Sequence, residues 1–243
     1  MHAKFIVLIL ALCLIIVPIT AQEVTPEPEV TPEPLPITAQ VITIDAEDGL
    51  DLIADFYLVD PDRPTVILLH EIYKDRSSWD ALLLPLLANG YNVLTTDIRG
   101  GWGETRGSIN WFKAVDDVGS WMTWLRDEAG VNPEAIHTMG SSMGSSLAVV
   151  GCANDDLCRS SIAISPGWSY YRISLEDSIA SRPVFGIYAQ NDRWPSLGVP
   201  QMQETAPDTF SVLMYDGNAH GMDLLEEQQE TLFVEIINWL NSH

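Results

Sequence analysis

Short apolar runs that alternate with helical stretches constrain the fold of this chain more than any other feature. The runs are continuous rather than alternating in polarity, which is typical of strands that are buried on both faces. They occupy residues 65–69, 92–96, 135–139, 161–164, 184–188 and 210–214. The stretches with helical periodicity occupy residues 78–88, 114–128, 143–153, 199–205 and 224–240. Strands that alternate with helices predict an α/β protein with a doubly wound, mostly parallel sheet.

The residues ahead of the first buried run follow a different pattern. Residues 41–44 and 52–58 alternate between apolar and polar side chains, and they flank the turn-forming segment 46–49. This pattern predicts an N-terminal antiparallel hairpin. With the strands and helices that follow, the predicted domain spans residues 40–243, a length suited to a single core.

The first 21 residues have the features of a signal peptide. Lys4 precedes an apolar run at 5–19, and the small residue Ala21 suits cleavage. This run is short for a membrane span, which needs about 20 residues. We therefore expect residues 1–21 to be removed, which leaves no stable membrane span. An uncleaved N-terminal anchor is the alternative interpretation.

Residues 22–39 are predicted to be a linker rich in proline and glutamate. The sequence Glu-Val-Thr-Pro-Glu-Pro occurs at 23–28 and again at 29–34. Proline fixes the backbone and removes hydrogen-bond donors, while the glutamates repel one another, so this segment predicts an extended spacer. The expected location is outside the cytoplasm, either extracellular or associated with the cell envelope through this linker.

The chain is strongly acidic, with a formal net charge of -22 at pH 7. Nucleic acids and anionic membrane surfaces are negatively charged and would be repelled by such a protein. We therefore expect neither as a partner. A high net charge also keeps an exported protein soluble.

Two of the three cysteines, Cys152 and Cys158, lie outside the predicted signal peptide. They enclose only five residues between a predicted helix and the next predicted strand. In an oxidising compartment such a pair predicts a disulfide. Two cysteines without a nearby histidine offer too few ligands for zinc, and the sequence predicts neither a metal site nor a cofactor.

A serine, an acid and a histidine each follow a predicted buried strand. Ser142 is the central residue of the G-x-S-x-G sequence at 140–144, between a predicted strand and a predicted helix. Asp192 follows the strand at 184–188, and His220 lies in a glycine-flanked loop after the last strand. Ligands of α/β proteins bind beyond the carboxyl ends of the strands, so these three side chains are expected to meet there.

The order of these residues suits nucleophilic catalysis. Ser142 would be the nucleophile, His220 the base that accepts its proton, and Asp192 the acid that orients the histidine. His70 is the rival for the base. The rivals for the acid are Asp216 and Asp177.

Ser142, Asp192 and His220, each after the expected strand, resemble the catalytic triad of the α/β-hydrolase superfamily. Residues 97–105 are also similar to the D-x-R-G-x-G-x-S loop of that family, with one extra glycine. The resemblance covers essentially all of residues 40–240. It implies an oxyanion hole made by the backbone N–H of Met143 and an N–H from the loop after residue 69, for which Ile72 is the preferred donor.

The same loop, residues 70–73, resembles the Q-E-I-F segment of dienelactone hydrolases. In those enzymes the glutamate contacts a resting cysteine nucleophile, so the resemblance places Glu71 at the site. This chain has Ser142 instead of cysteine. The alternative is a loop carboxylate that pairs with a basic residue, for which the candidates are Lys74, Arg76 and Arg99.

The segment 166–182 is too short for the lid domain that larger relatives insert between two strands. We therefore expect no large lid and a pocket walled largely by aromatic side chains. The candidate pocket residues are Glu71, Tyr73, Trp102, Trp168, Tyr170 and Trp194, and Trp111 is a further candidate.

These observations predict an exported serine hydrolase that cleaves a carboxylic ester or related acyl bond of a small molecule through an acyl-enzyme. The competing hypotheses are a noncatalytic binding protein with the same fold and a peptidase of the same superfamily. Neither the acyl chain length nor the oligomeric state is indicated by the sequence.

Overall fold

A computed structural model describes residues 37–243 of the chain. The predicted signal peptide at 1–21 and all but the last three residues of the predicted linker at 22–39 lie outside the described residues.

Eight strands form one mixed sheet in the order β1-β2-β4-β3-β5-β6-β9-β10. β2 pairs antiparallel with both of its neighbours, and every other pairing in this sheet is parallel. This arrangement confirms the predicted N-terminal antiparallel hairpin and the mostly parallel sheet. With the two short strands β7 and β8, which are not part of this sheet, the strands in chain order are β1 (Gln40–Asp45), β2 (Asp51–Tyr57), β3 (Thr65–Leu69), β4 (Asn92–Thr96), β5 (Ile136–Ser141), β6 (Cys158–Ile164), β7 (Ser169–Tyr170), β8 (Ile173–Ser174), β9 (Val184–Ala189) and β10 (Phe210–Tyr215).

The helices cover both faces of the sheet. They are α1 (Asp80–Ala88), which follows a short 3-10 helix at Arg76–Trp79, α2 (Trp111–Asp127), α3 (Met143–Ala153), α4 (Arg193–Thr205), α5 (Met222–Glu227) and α6 (Gln229–Ser242). α4 begins six residues before the predicted start at residue 199. The single helix predicted at 224–240 is two helices that meet at Gln228.

Strand β3 shows why the apolar runs are continuous. Val66 and Leu68 pack against the core on one face of the sheet, where α1 and α6 lie. Ile67 and Leu69 pack against the core on the other face, where α2 and α3 lie. Alternate side chains therefore enter two separate cores, and a polar residue in either set would lose its hydration.

The connection between β6 and β9 contains only the two short strands β7 and β8, which pair antiparallel with each other. This confirms the prediction that no large lid covers the sheet. Among the helices of residues 37–243, none combines the length and the hydropathy that a membrane span requires.

A disulfide joins Cys152, near the end of α3, to Cys158, the first residue of β6, as the sequence predicts. The two Cα atoms are 5.3 Å apart, and the cysteines are six positions apart in the sequence. The bond closes a short loop directly after the helix that begins at Met143.

Candidate active site

Ser142 lies in the sharp turn between β5 and α3, in a backbone conformation that is rare for a residue with a side chain. Its φ angle is 51°. The turn brings backbones very close together: a Cβ atom at Gly140 would lie 2.0 Å from the Gly144 carbonyl oxygen, and one at Gly144 would lie 2.1 Å from the Leu69 carbonyl oxygen. Only glycine fits at either position, so the G-x-S-x-G pattern follows from the geometry of the turn.

The structure brings Ser142, His220 and Asp192 into one chain of hydrogen bonds. Ser142 Oγ lies 2.8 Å from His220 Nε2, and His220 Nδ1 lies 2.7 Å from Asp192 Oδ2. Because a carboxylate only accepts hydrogen bonds, Nδ1 carries the imidazole proton and Nε2 is left to accept the hydroxyl proton of the serine. Ser142 and Asp192 are both buried, whereas the His220 side chain is 36 % exposed.

The surroundings of His220 raise the pKa of its imidazole. Burial alone lowers this pKa, but the hydrogen bond to Asp192 and the charge of that carboxylate outweigh burial. The charges of Glu71 and Asp223 act in the same direction. The imidazolium form that proton transfer from Ser142 would create is therefore stabilised in advance.

The rival residues do not join this arrangement. His70 is buried, its Nε2 accepts a hydrogen bond from the Ile98 N–H at 3.0 Å, and its Nδ1 lies 2.7 Å from the Glu71 carbonyl oxygen. Asp177 and Asp216 are exposed, and neither makes a hydrogen bond to His220 among the described residues. His70 is thus occupied with backbone groups, and Asp192 is the carboxylate that contacts His220.

Two backbone N–H groups beside Ser142 have no acceptor. Met143 is the first residue of α3, and neither its N–H nor that of Ile72 donates to another described residue. His70 fixes the direction of the second donor. Its Nδ1–H holds the Glu71 carbonyl oxygen, and in a trans peptide the Ile72 N–H points the opposite way. Both donors are available to an anion in front of the helix N-terminus.

Glu71 links the turn that carries Ser142 to the loop that carries His220. Its Oε2 accepts hydrogen bonds from the Ser141 hydroxyl and from the Met222 N–H, each at 3.2 Å. The neighbouring Gly221 N–H donates to Ser165 Oγ at 2.8 Å, so two side chains anchor this loop just after His220. Glu71 contacts the residue before Ser142, and no hydrogen bond joins it to Ser142 itself among the described residues.

The alternative interpretation, in which Glu71 pairs with a basic residue, is wrong. No ion pair among the described residues joins it to Lys74, Arg76 or Arg99. Arg76 binds the carboxylates of three other residues, and Arg99 binds those of two more. These multiple charge-assisted pairings occupy both arginines, which leaves Glu71 to neutral donors.

The predicted aromatic residues divide into three groups. The rings of Tyr73 and Trp102 lie 5.8 Å apart, and both side chains are largely exposed. The rings of Tyr170 and Trp194 lie 6.4 Å apart, with the Tyr170 hydroxyl donating to the Ser165 carbonyl oxygen. Trp168 was a candidate pocket residue, but it packs against the core beneath α4, so it is not a wall of the cavity described below.

A narrow cavity of about 80 Å³ lies beside the two unpaired N–H groups. Its lining includes the predicted residues Glu71, Ile72, Tyr73, Trp102 and Met143, together with the further candidate Trp111. It also includes His70, Ile98, Gly100, Gly101 and Ile109, which sequence reasoning did not assign to the pocket. The loop at 97–110 supplies several of these residues and has no helical or strand periodicity, so the sequence carried no signal for them.

Within residues 37–243, no three or more His, Cys, Asp or Glu side chains are arranged to hold a metal ion. The site combines a hydrogen-bonded serine, histidine and aspartate with two free N–H donors, which are groups suited to proton transfer and to anion binding.

Comparison with known proteins identifies relatives. A family described as "alpha/beta hydrolase fold" matches residues 64–209 of this chain. The "Uncharacterized protein YfhR" of Salmonella typhimurium is 31% identical over 162 residues, which cover 62% of this chain and 55% of that protein. This chain therefore spans little more than half the length of that relative.

Solved structures share the fold at low sequence identity. The esterase Pf2001 of Pyrococcus furiosus is 20% identical with a TM-score of 0.72, and the match covers 85% of this chain and 90% of that one. A putative dienelactone hydrolase from Klebsiella pneumoniae is 17% identical with a TM-score of 0.70, covering 85% and 99%. Since the family match spans more than half of the sequence and the sheet has the same architecture, the chain belongs to the alpha/beta hydrolase fold family.

Proposed function

We propose that this protein is an exported serine hydrolase that cleaves a carboxylic ester or related acyl bond of a small molecule. The observation that carries the proposal is the hydrogen-bonded chain from Ser142 through His220 to Asp192. A serine hydroxyl is a weak nucleophile, and it becomes effective when a neutral imidazole is placed to accept its proton. The family assignment supports a hydrolase, and so does the likeness to an esterase and to a putative dienelactone hydrolase.

In the proposed reaction Ser142 Oγ forms a bond to the carbonyl carbon of the substrate, and its proton moves to His220 Nε2. The tetrahedral intermediate then breaks its bond to the leaving oxygen, which takes the proton from His220. Water repeats the two steps on the acyl-enzyme and releases the acid, so serine and histidine are both regenerated. Asp192 holds the imidazole in the tautomer that the first step requires and stabilises its charged form.

Met143 and Ile72 supply the proposed oxyanion hole. Their N–H groups are free, and one of them lies at the N-terminus of a helix whose dipole favours negative charge. Removing one donor from such a site typically costs about 10²–10³ in kcat. The anchored Glu71 peptide keeps the second donor in place before substrate arrives.

Export is proposed from the sequence of residues 1–39 together with the disulfide between Cys152 and Cys158. Disulfides persist in oxidising compartments, which the cytoplasm ordinarily is not.

The test is active-site labelling combined with ester hydrolysis. A fluorophosphonate probe should label the folded protein and hydrolysis of 4-nitrophenyl acetate should be measurable, and Ser142→Ala should abolish both.

Asp192→Asn should lower kcat by about 10⁴ while the protein stays folded, because asparagine favours the wrong imidazole tautomer. Asp216→Asn is the matched control and should retain activity, since Asp216 makes no hydrogen bond to His220.

Folded wild-type protein that neither reacts with the probe nor cleaves any ester would refute the proposal. That result would favour the noncatalytic binding protein.

A further inference from the structure

The arrangement of the catalytic groups fixes which side of the site receives the acyl group. The carbonyl carbon of a bound ester must meet Ser142 Oγ, and its oxygen must point to the N–H groups of Met143 and Ile72. The leaving oxygen must face His220 Nε2, which gives it a proton. The remaining substituent, the acyl chain, must therefore point away from His220.

The narrow cavity borders the two oxyanion donors and none of the three hydrogen-bonded side chains. Ile72 and Met143 form part of its lining, whereas none of Ser142, Asp192 and His220 does. A chain that leaves the carbonyl carbon opposite the histidine enters this cavity.

The cavity is small. Its volume is about 80 Å³. Pockets for drug-sized ligands span about 300–1,000 Å³, so this cavity suits a short acyl chain. A longer chain would have to displace the ring of Trp111, which packs against Tyr171, or extend past the exposed side chains of Tyr73 and Trp102 into solvent.

The walls also define the polarity of the acyl group. The lining is mostly apolar, and the apolar side chains include those of Ile98, Ile109, Trp111 and Met143. No lysine or arginine lines it, whereas the acidic residue Glu71 does. An anionic acyl group would meet a like charge without a basic partner, so the cavity favours a neutral aliphatic chain.

Two of the aromatic side chains that line the cavity are held in place by packing against other aromatic rings. The ring of Trp111 packs against Tyr171 with the ring centres 5.2 Å apart, and Trp102 packs against Tyr73. Trp194 follows Asp192 by two residues, is 52% exposed and does not line this cavity. Because Asp192 contacts His220, Trp194 is the aromatic side chain assigned to the alcohol side of the ester.

We propose that the cavity beside Ile72 and Met143 is the acyl pocket and that it selects esters of short, neutral aliphatic acids. This inference rests on the proposed function, since it assigns a role to a cavity at the same site. Trp111 and Ile109 set the depth of the pocket, whereas Trp194 contacts the alcohol part.

The experiment measures kcat/KM for 4-nitrophenyl acetate, butyrate, hexanoate and octanoate, with the active sites counted by the fluorophosphonate probe. For the wild type we expect kcat/KM to fall at least tenfold from butyrate to octanoate. Trp111→Ala should raise the octanoate-to-butyrate ratio at least tenfold, and Ile109→Ala should raise it by a smaller factor. Trp194→Ala is the matched aromatic control and should leave the ratio unchanged.

Ile109 is 53% exposed, so its variant keeps the test valid if Trp111→Ala fails to fold. The inference is overturned if the wild type cleaves octanoate as fast as butyrate, or if the ratio responds to Trp194→Ala and to neither of the other variants. In those cases hydrolysis that depends on Ser142 leaves the proposed function intact. A folded protein that cleaves no ester and resists the probe overturns both.

Discussion

The ionisation of one imidazole should control the rate at low pH. Only neutral His220 can accept the Ser142 proton, and its pKa lies above the ordinary value of about 6.5. Activity should therefore decline as the pH falls through a value above about 6.5, earlier than for an unperturbed histidine. A profile of kcat/KM from pH 5 to pH 9 with 4-nitrophenyl acetate measures this decline, which forms the acid limb of the profile. A profile that is flat between pH 5 and 8 would contradict the mechanism.

The variant Glu71→Gln tests one source of this raised pKa in the same profile. It removes a negative charge near His220 but retains an amide oxygen that can accept from Ser141 and Met222. The acid limb should move to lower pH, while kcat at the optimum changes little. Asp223→Asn removes another charge that raises the same pKa and should shift the limb in the same direction. An unshifted limb in a folded Glu71→Gln protein would show that the carboxylate acts only as a structural anchor.

The sequence alone identifies some residues of the candidate site but not others. Ser142, Asp192 and His220 could be selected because each directly follows a buried strand, and the topology of a parallel sheet brings strand ends together. Ile98 and Ile109 could not be selected as pocket residues. They reach the cavity through an irregular loop whose course depends on buried ion pairs at Arg76 and Arg99, and such long-range pairings leave no periodic pattern.

At the scale of elements, the disulfide at the end of α3 should contribute measurable stability. Closing a loop of this length constrains the unfolded chain by about 2 kcal/mol. The double variant Cys152→Ala with Cys158→Ala should therefore lower the Tm by roughly 4–8 °C. Thermal unfolding followed by circular dichroism measures the shift.

Reduction of the wild type supplies the control for this prediction. Dithiothreitol should lower the wild-type Tm by a similar amount and leave the double variant unaffected. Equal Tm values for oxidised and reduced wild type would contradict a stabilising role for the bond between Cys152 and Cys158.

Strands were easier to predict than helix boundaries for a physical reason. A strand such as β3 is buried over its whole length, so its apolar run coincides with its bounds. α4 begins at Arg193, but the sequence pattern predicts a later start. The reason is that the first residues of the helix include Pro195 and the exposed side chains of Trp194 and Leu197, which interrupt the apolar periodicity. Proline is compatible with a first helical turn, but it weakens a helical pattern in the sequence. Likewise, the continuous periodicity from α5 into α6 hides the break at Gln228.

At the scale of the whole molecule, the net charge of -22 should make stability depend on salt. Like charges repel in the compact state, and raising the ionic strength from about 0.01 M to about 0.15 M shortens the screening distance from about 30 Å to about 8 Å. We expect the Tm to rise by roughly 2–4 °C, which corresponds to about 1 kcal/mol in a protein of this size. Thermal unfolding at pH 8 in increasing NaCl measures this.

The largely buried ion pairs of Arg76 with Asp97 and of Arg99 with Asp117 are screened less than exposed charges, so they should not reverse the trend. A Tm that falls over this range would mean that favourable ion pairs outweigh the overall repulsion.

The hydrogen bonds of His70 connect the stability of the molecule with its proposed chemistry. Burial lowers the pKa of His70, so its imidazole stays neutral and holds both the Ile98 N–H and the Glu71 carbonyl oxygen in the absence of substrate. The loss of conformational entropy on ordering this loop is then part of the free energy of folding rather than of ligand binding. A substrate or a transition-state analogue meets a preorganised site, and its affinity is not reduced by the ordering of Ile72.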